Sequence, residues 1–315
     1  MTGPPFDMVA AGYTAVDYLG VIPRFPGENL KLELERLEVQ GGGPAATAAV
    51  TGARLGLSAA FAGKVGDDPF GTMMLEGLAK EGVDVSAVVT ERGASSQFAF
   101  IMVEPATARR TILWTRGSLS PMRPEELDRR LLEGCRALLI DTLEPAAALE
   151  AARIARDGGA EVIIDAGTLR EGVAELLPFC NWIAASETFA GQVAPGGSVE
   201  DALEEMMGHG PRAAIVTLGE RGCAATEGGD VMYFEGFEVD AYDTTGAGDV
   251  FHGALVFAVL QGWDLARCCV FANAVAALKC RRLGGRDGIP ELGEALGFLA
   301  ERAPEKDFPL TGGSS

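Results

Sequence analysis

Short apolar runs alternate with amphipathic stretches along most of this chain, and this alternation constrains its fold more than any other feature. Six runs have the length and the flanking residues of buried parallel strands, namely 7–12, 59–63, 137–141, 161–165, 181–185 and 212–217. The clearest helical patterns between them begin at Pro44, Pro69, Pro124 and Pro145, each with glycine near its end. Such alternation is typical of a doubly wound, mostly parallel sheet with helices on both faces. The pattern therefore predicts a single α/β domain over residues 1–303.

Two segments interrupt the alternation. Residues 13–39 and 97–115 carry alternating apolar and polar residues around turn signals, as antiparallel strands do. We expect them to form a small β-sheet lid over a pocket, although a plain surface hairpin fits the same pattern. The apolar face expected on such a lid favours a homodimer that forms through it. Residues 304–315 are predicted to be a flexible tail.

The composition excludes several classes of function. The net charge of the 315 residues is −19, so a nucleic acid would be repelled unless basic residues cluster in space. No stretch approaches the roughly 18 apolar residues of a membrane helix, and the first residues lack the basic start of a signal peptide. We therefore expect a cytoplasmic protein without nucleic-acid or membrane partners. The six cysteines form no CxxC pair and only two histidines are present, which disfavours zinc and favours buried thiols.

A glycine turn at the start of an apolar helix is the strongest chemical signal, in DTTGAGDVFHGAL, residues 243–255. If the helix begins near Ala247, the backbone N–H groups of Gly246, Ala247 and Gly248 are unpaired and favour an anion such as a phosphoryl group. Asp249 would then lie within reach of an attacking hydroxyl and accept its proton. An ordinary turn with Asp in the first helical turn is the alternative. A dinucleotide fingerprint fits less well because the third glycine is missing, and no P-loop motif is present.

Three further segments are candidates for ligand binding. Residues 41–50, GGGPAATAAV, offer free backbone donors before a Pro-started helix, or simply connect a lid strand to that helix. Asp17 lies among apolar residues of the first lid strand, where sugar hydroxyls or backbone donors would satisfy its carboxylate. Residues 217–222, TLGERG, are suited to a nucleotide's phosphate or ribose, or form an ordinary hairpin. In GKVGDDPFG, residues 63–71, the acids are expected to cap the next helix.

In this order the motifs resemble the PfkB (ribokinase-like) family of carbohydrate kinases over nearly the full length. The segment GGGPAATAAVTGARLG is similar to the family's N-terminal signature and DTTGAGDVFHGAL to its C-terminal one, with KVGDDPFG and TLGERG between them. The resemblance implies a large α/β domain with a β lid, ATP as phosphoryl donor, Mg²⁺, and a primary hydroxyl of a sugar or sugar derivative as acceptor. Within the family the sulfofructose kinase branch looks closest, and ketohexokinase more distant.

The resemblance also implies roles for individual residues. Asp249 matches the general base, and Gly246, Ala247 and Gly248 match the anion hole. The other matches are Asp17, Gly41, Gly42 and Gly43 for the sugar, Thr217, Gly219 and Asn273 for the nucleotide, and Asp243 and Thr245 for the monovalent cation, such as K⁺, that some members bind. A sulfonate or phosphate on the substrate would need a basic partner, for which the lid offers Arg110 with its neighbours Arg109 and Arg116. Solvated surface charges are the alternative for these arginines.

Some positions depart from the family pattern. Ala46 stands where many members have Asn on the sugar side, and Ser186 and Phe189 replace the Asn and Glu that the family uses near Mg²⁺. Glu187 is the candidate to replace them, acting on Mg²⁺ through water. His252, one turn into the catalytic helix, is expected to be a packed or substrate-edge histidine rather than a ligand.

Three hypotheses follow. The leading one is an ATP-dependent sugar kinase with in-line transfer, in which Asp249 is the base and the 246–248 amides neutralise the moving charge. The second is a sensor of the same fold that binds sugar or nucleotide without turnover, which the altered segment AASETFAG favours and the intact GAGD disfavours. The third, a nicotinamide-dependent oxidoreductase, is disfavoured by the incomplete fingerprint.

Overall fold

The structure is a computed structural model, and it describes residues 6–310. In that range the strands are β1 (Phe6–Ala11), β2 (Ala15–Val21), β3 (Arg36–Gly42), β4 (Ala59–Ala62), β5 (Lys64–Gly66), β6 (Val89–Glu91), β7 (Phe98–Glu104), β8 (Arg109–Thr115), β9 (Cys135–Asp141), β10 (Glu161–Ala166), β11 (Trp182–Ser186), β12 (Ala213–Thr217), β13 (Cys223–Thr226) and β14 (Met232–Phe234). The helices are α1 (Pro44–Arg54), α2 (Pro69–Lys80), α3 (Arg129–Glu133), α4 (Pro145–Asp157), α5 (Glu187–Val193), α6 (Val199–Met207), α7 (Ala247–Leu260), α8 (Leu265–Lys279) and α9 (Leu292–Arg302).

The main sheet has the strand order β14-β13-β12-β11-β10-β9-β1-β4. Its strands are parallel from β4 to β12, and β13 and β14 are antiparallel additions at one edge. Alternate residues of β1 belong to different hydrophobic clusters, Met8 and Ala10 to one and Val9 and Ala11 to the other, because helices cover both faces. The predicted doubly wound α/β fold is confirmed, and each of the six apolar runs is a strand of this sheet.

One predicted helix is wrong as a continuous element. The pattern that begins at Pro124 divides into a 3₁₀ turn over Pro124–Glu126 and the short helix α3. The carboxylate of Asp128 explains the break, because it accepts hydrogen bonds from the N–H groups of Arg130 at 2.9 Å and Leu131 at 3.3 Å and so starts a new helix there. By contrast Asp68 caps α2 as predicted, accepting from the N–H of Gly71 at 2.8 Å.

A second sheet, in the order β3-β2-β7-β8, is the lid. Three of its strands lie within the two segments predicted for it, while β3 runs to Gly42, past the predicted end at residue 39; residues 22–35 between β2 and β3 form a loop with no strand. One face buries Leu19, Ile101 and Val103. Large apolar side chains remain exposed on the lid, among them Leu37, Val39, Ile112, Leu113 and Trp114.

Close packing of α1 on α7 brings the two glycine-rich motifs together. A Cβ atom on Gly253 would lie 2.6 Å from the carbonyl oxygen of Ala48 and from Cβ of Thr51, so the helix axes approach as closely as they do only because residue 253 is glycine. Both helices begin at the edge of the sheet where the parallel strands end, since the N–H of Ala46 donates to the carbonyl of Tyr13 just after β1 and Asp249 lies near Asp165 at the end of β10. In such folds this edge is where ligands bind.

Other expectations from the sequence concern the tail, the cysteines and metals. In the segment predicted as a flexible tail, the carbonyls of Asp307 and Pro309 each accept a 2.7 Å hydrogen bond, from Arg267 and Trp263 respectively; residues 311–315 lie outside the described residues. All six cysteines are buried thiols, as predicted. Residues 6–310 contain no helix that is long and apolar enough to cross a membrane, and no cluster of three or more His, Cys, Asp or Glu side chains that could hold a metal.

Candidate active site

The predicted anion site lies at the start of α7. The helix begins at Ala247, and Gly246 precedes it in a left-handed conformation, with φ of +73°. A Cβ on Gly246 would lie 2.9 Å from Cα of Gly285, so glycine is required there for space as well as for backbone conformation. Within the described chain no side chain caps this helix. Helix N-termini without a cap leave backbone donors and a partial positive charge for a ligand.

One of the three predicted donors is already used. The N–H of Ala247 donates to the carbonyl of Thr244 at 3.2 Å, which closes the turn. Ala247 is therefore a weaker donor to an anion than the sequence suggests. Gly248 is exposed, and a Cβ there would meet open space, so its backbone borders the open side of the site. Gly246 and Gly248 are thus the better candidates for binding a phosphoryl group.

Asp249 stands in the first turn of α7 and is half-buried. Burial raises the pKa of its carboxyl and the carboxylate of Asp165 raises it further; with all neighbouring charges included the pKa is about 6. The nearby cations His252, Arg110 and Lys279 lower it in part. A carboxyl with this pKa is largely ionised at neutral pH and still basic enough to accept a proton from a hydroxyl in a transition state.

The sugar-side residues predicted from the sequence lie together. Asp17 on β2 is 7% exposed, its carboxylate makes no hydrogen bond among the described residues, and burial raises the pKa of that carboxyl to about 7. A Cβ on Gly42 would lie 2.0 Å from Oδ2 of Asp17, and one on Gly41 would lie 2.2 Å from Nη1 of Arg286. Both glycines are therefore needed for two charged side chains to lie against this backbone. Gly43 has φ of +89° and leads into α1.

Arg286 is a residue of this site that the sequence analysis missed. It is 5% exposed, its Nη2 donates to the carbonyl of Gly42 at 2.9 Å, and its Nε has no partner in the described structure. Burial lowers the pKa of its guanidinium to about 10, and the carboxylate of Asp17 opposes this shift. A buried cation with an unused donor is what an acceptor oxygen or an anionic substituent would bind. The only sequence signal was its place in the glycine-rich segment after α8.

Of the residues predicted to bind the nucleotide, Asn273 contacts the end of β14 and the segment after it. Asn273 on α8 is buried, and its Nδ2 donates to the carbonyls of Phe234 at 3.2 Å and Glu235 at 3.3 Å. Thr217 ends β12, and its hydroxyl donates to the carbonyl of Ala185 at 3.3 Å. Gly219, with φ of +61°, then opens the turn of the β12–β13 hairpin. The far end of that turn lies against the same segment, since a Cβ on Gly222 would be 2.0 Å from the carbonyl oxygen of Phe234.

Asp243 and Thr245, the predicted cation ligands, contact each other. The N–H and hydroxyl of Thr245 donate to Oδ1 of Asp243 at 2.8 and 2.7 Å, and the N–H of Gly284 donates to Oδ2 at 2.7 Å. The buried ammonium of Lys279 donates to the backbone carbonyl of Asp243 at 2.9 Å. Protein donors thus engage both carboxylate oxygens, and one positive charge is already present beside this loop.

The lid contacts the loop before α7 through Arg110. Its Nη1 donates to the hydroxyl of Thr244 at 2.7 Å, and that hydroxyl donates to the carbonyl of Ala108 at 3.2 Å. Arg116 instead binds Glu144 and the carbonyl of Leu143, so it supports the pocket wall. Of the lid arginines predicted to meet a substrate, Arg110 is the one that the structure brings to the glycine turn.

A comparison with protein families decides what kind of protein has this site. The model of the pfkB family of carbohydrate kinases matches residues 6–292. This chain belongs to the pfkB family. It is 29% identical over 303 residues to a ribokinase of Haemophilus influenzae, covering 93% of this chain and 98% of the relative. It is 28% identical over 296 residues to a nucleoside kinase of Methanothermobacter thermautotrophicus, with coverage of 92% and 94%.

Solved structures agree with this assignment. The crystal structure of a putative ribokinase from Agrobacterium tumefaciens superposes with a TM-score of 0.85 at 28% identity and covers 95% of this chain and 99% of its own. The predicted ribokinase-like fold is therefore confirmed. The protein is a sugar or nucleoside kinase of the pfkB family.

This pfkB kinase lacks the Asn and Glu that its family was expected to use near Mg²⁺. Ser186 is the N-cap of α5 and accepts from the N–H of Phe189 at 3.1 Å, while the Phe189 ring is fully buried in the core. Glu187 is exposed and forms an ion pair with Arg221. Ala46 is fully buried, so no polar side chain enters the sugar side from that position.

Two buried carboxylates near the kinase site were also missed by the sequence analysis. Asp141 ends β9, and its Oδ2 accepts from the N–H of Tyr13 at 2.7 Å; burial raises the pKa of its carboxyl to about 7. Gly12 leaves room for it, because a Cβ there would lie 2.3 Å from the same oxygen. Asp165 lies near the end of the neighbouring strand β10. The signal for both was an acid at the carboxyl end of a buried run, in ALLID and EVIID.

Proposed function

We propose that this pfkB kinase transfers the γ-phosphoryl group of ATP to a primary hydroxyl of a sugar or sugar derivative. Asp249 accepts the hydroxyl proton, and the amides of Gly246 and Gly248, with a smaller part for Ala247, bind the moving phosphoryl group. The observation that carries the proposal is the position of Asp249, half-buried directly behind an uncapped helix N-terminus, with its pKa raised to about 6.

The other predicted residues bind either the sugar, which accepts the phosphoryl group, or ATP, which donates it. Asp17, with no hydrogen bond of its own, accepts from sugar hydroxyls, while Gly41, Gly42 and Gly43 let the backbone approach them. Arg110 holds the lid against the loop before α7 and so excludes water from the site. Thr217, Gly219 and Asn273 border the nucleotide.

Mg²⁺ fits this chain poorly as a protein-ligated ion. Phe189 is in the core, Ser186 caps a helix, and Glu187 is paired with Arg221, so the positions expected to hold the ion offer no free carboxylate. We propose that Mg²⁺ enters with the phosphates of ATP and that Glu187 meets it only through water. K⁺ at Asp243 and Thr245 remains a prediction, tested by replacing KCl with choline chloride in the assay.

The direct test is ADP release over a panel of fructose, ribose, nucleosides, deoxy-keto acids and sulfofructose. The kinase proposal expects turnover with at least one of them. A sensor would bind sugar or ATP, seen as a raised melting temperature, without releasing ADP. An oxidoreductase would be stabilised by NAD(H) and not by ATP. Either result would replace the kinase proposal for this chain.

A second candidate acceptor is a sugar with an anionic substituent, as in the sulfofructose kinase branch. The specific observation that favours it is Arg286, a buried guanidinium beside Gly41 and Gly42 with an unused Nε donor. If this candidate holds, sulfofructose has a higher kcat/KM than fructose, and Arg286→Met removes the preference. Equal values for the two sugars would restrict the proposal to neutral acceptors.

We also propose that the lid pairs with the lid of a second copy. The apolar side chains left exposed on the face turned away from Leu19 and Ile101, Leu37 at 53%, Val39 at 40% and Leu113 at 58%, are suited to burial in such an interface. Light scattering should give the mass of a dimer, and Leu113→Glu should shift it to the monomer. A monomeric mass for the unmodified protein would contradict the proposal.

A further inference from the structure

A buried ion pair lies next to the proposed base. His252 follows Asp249 by one helical turn on α7, and its side chain is 4% exposed. Its Nδ1 lies 3.0 Å from Oδ2 of Asp165, whose side chain is 8% exposed. Neither ring nitrogen has a partner with full hydrogen-bond geometry in the described structure, so the contact between the two groups is mainly one of charge.

The groups that face His252 come from three elements. Asp249 lies on its own helix, Asp165 approaches from β10, and the backbone carbonyl of Ala184 approaches from β11. Asp141 on β9 stands behind Asp165, close enough for the two carboxylates to repel each other. Every one of these neighbours is an acid or an oxygen acceptor.

Such surroundings favour the protonated, positively charged form of the His252 ring. Burial alone would lower the pKa of His252, but the carboxylates of Asp165 and Asp249 outweigh it, and the pKa is raised. Removing a positive charge from a group of buried carboxylates is costly, because each remaining charge then lacks a partner. The same arrangement acts in return on Asp249, whose pKa is raised by Asp165 and lowered by His252.

We propose that His252 is a positioning residue, a buried imidazolium that neutralises Asp165 and thereby keeps Asp249 ionised as the base. This inference rests on the proposed function, in which Asp249 accepts the proton. It assigns a function to the histidine that the sequence suggested was merely packed or at the substrate edge. It also explains why Asp165 is tolerated beside a catalytic carboxylate.

The charge of His252 can be measured without any activity. The chain has only two histidines, so the imidazole signals in an NMR titration are assigned by comparing the wild type with His209→Asn. His209 lies just after α6 and is partly exposed. We expect the His252 ring to be protonated at pH 7 in the free protein. A neutral ring at pH 7 would overturn the inference even if the enzyme proves to be a kinase.

The effect on the base is measured from the pH dependence of kcat at saturating sugar, where Asp17 is occupied by the substrate. In His252→Asn the acid limb should move to higher pH by about one unit, since an opposite charge within about 4–6 Å typically shifts a carboxyl pKa by 1–3 units. His209→Asn should leave it unchanged. In the double variant Asp165→Asn, His252→Asn both charges are absent, and the limb should return toward that of the wild type.

These outcomes distinguish failure of the His252 proposal from failure of the proposed function. An acid limb that stays in place in His252→Asn, or a double variant that is displaced at least as far as the single one, would mean that His252 only fills space. If the wild type releases no ADP with any sugar, the proposed function fails, while the NMR titration still decides the charge of His252. The wild-type titration also serves if His252→Asn does not fold.

Discussion

A single methyl group added at Gly42 should weaken sugar binding and leave ATP binding unchanged. In Gly42→Ala the new Cβ would lie 2.0 Å from Oδ2 and 2.4 Å from Cγ of Asp17, whereas ordinary contact begins near 3.4 Å. The carboxylate must therefore retreat by about 1.4 Å. Since hydrogen bonds to a charged group fail over such a distance and contribute about 1.5–3 kcal/mol, the KM for the sugar should rise about 10- to 100-fold.

The assay is initial-rate kinetics with sugar and ATP varied in turn. The KM for ATP should stay within about twofold of wild type, because the nucleotide-side residues lie on other elements. Gly77→Ala is the matched control, since Gly77 lies on α2 and a Cβ there would meet nothing within 4 Å. That variant should keep both KM values and gain slightly in melting temperature, as alanine favours a helix. A sugar KM in Gly42→Ala close to that of Gly77→Ala would refute the assignment of Asp17 to the acceptor.

Three other predictions follow from the same structure. Because the pKa of Asp249 is about 6 and only its ionised form accepts a proton, kcat at saturating sugar should be flat above pH 7 and fall about tenfold per unit below pH 6; a kcat profile flat to pH 5 would contradict this. Arg110→Ala removes the 2.7 Å bond from the lid to Thr244 and should lower kcat/KM roughly tenfold. Arg109→Ala, on the opposite face of the same strand, should change it less than about twofold, and equal effects would argue against the lid contact. Asp68→Ala removes the N-cap of α2 and should lower the free energy of unfolding at pH 7 by about 1–2 kcal/mol. Burial of Asp68 acts to raise its pKa, but its hydrogen bonds outweigh burial and lower the pKa on folding. The loss of stability is therefore complete above the unfolded pKa and disappears as pH falls through the folded pKa; a difference independent of pH in urea titrations would disagree.

The elements that the sequence predicts best are those whose signal is local. Buried parallel strands read as short apolar runs, and α1, α2 and α4 begin with proline, so each of these elements begins at or within two residues of its predicted start. The helix predicted from Pro124 failed because a capping acid, Asp128, competes with the apolar pattern. A local sequence pattern does not show which of the two tendencies prevails, because that depends on the side-chain hydrogen bonds that form.

The sequence predicts only those site residues that belong to one contiguous motif. The turn before Asp249 and the glycines before α1 are contiguous in sequence, so their chemistry can be inferred from spacing. Arg286, Asp165 and Asp141 come to the site from separate elements, and only the fold brings them near it. Burial raises the pKa values of Asp17 and Asp249, and Arg286 and Asp165 respectively modify them further, which is why sequence reasoning could name the base but not its environment.

We propose that Asp249 takes the proton from the hydroxyl while the amides before it bind the phosphoryl group. The most direct measurement is the single-turnover rate of Asp249→Asn with saturating ATP and the best sugar of the panel. We expect the rate to fall by a factor of about 10² to 10⁴ with an unchanged melting temperature, since a general base contributes that much. A rate within a few-fold of the wild type would contradict it.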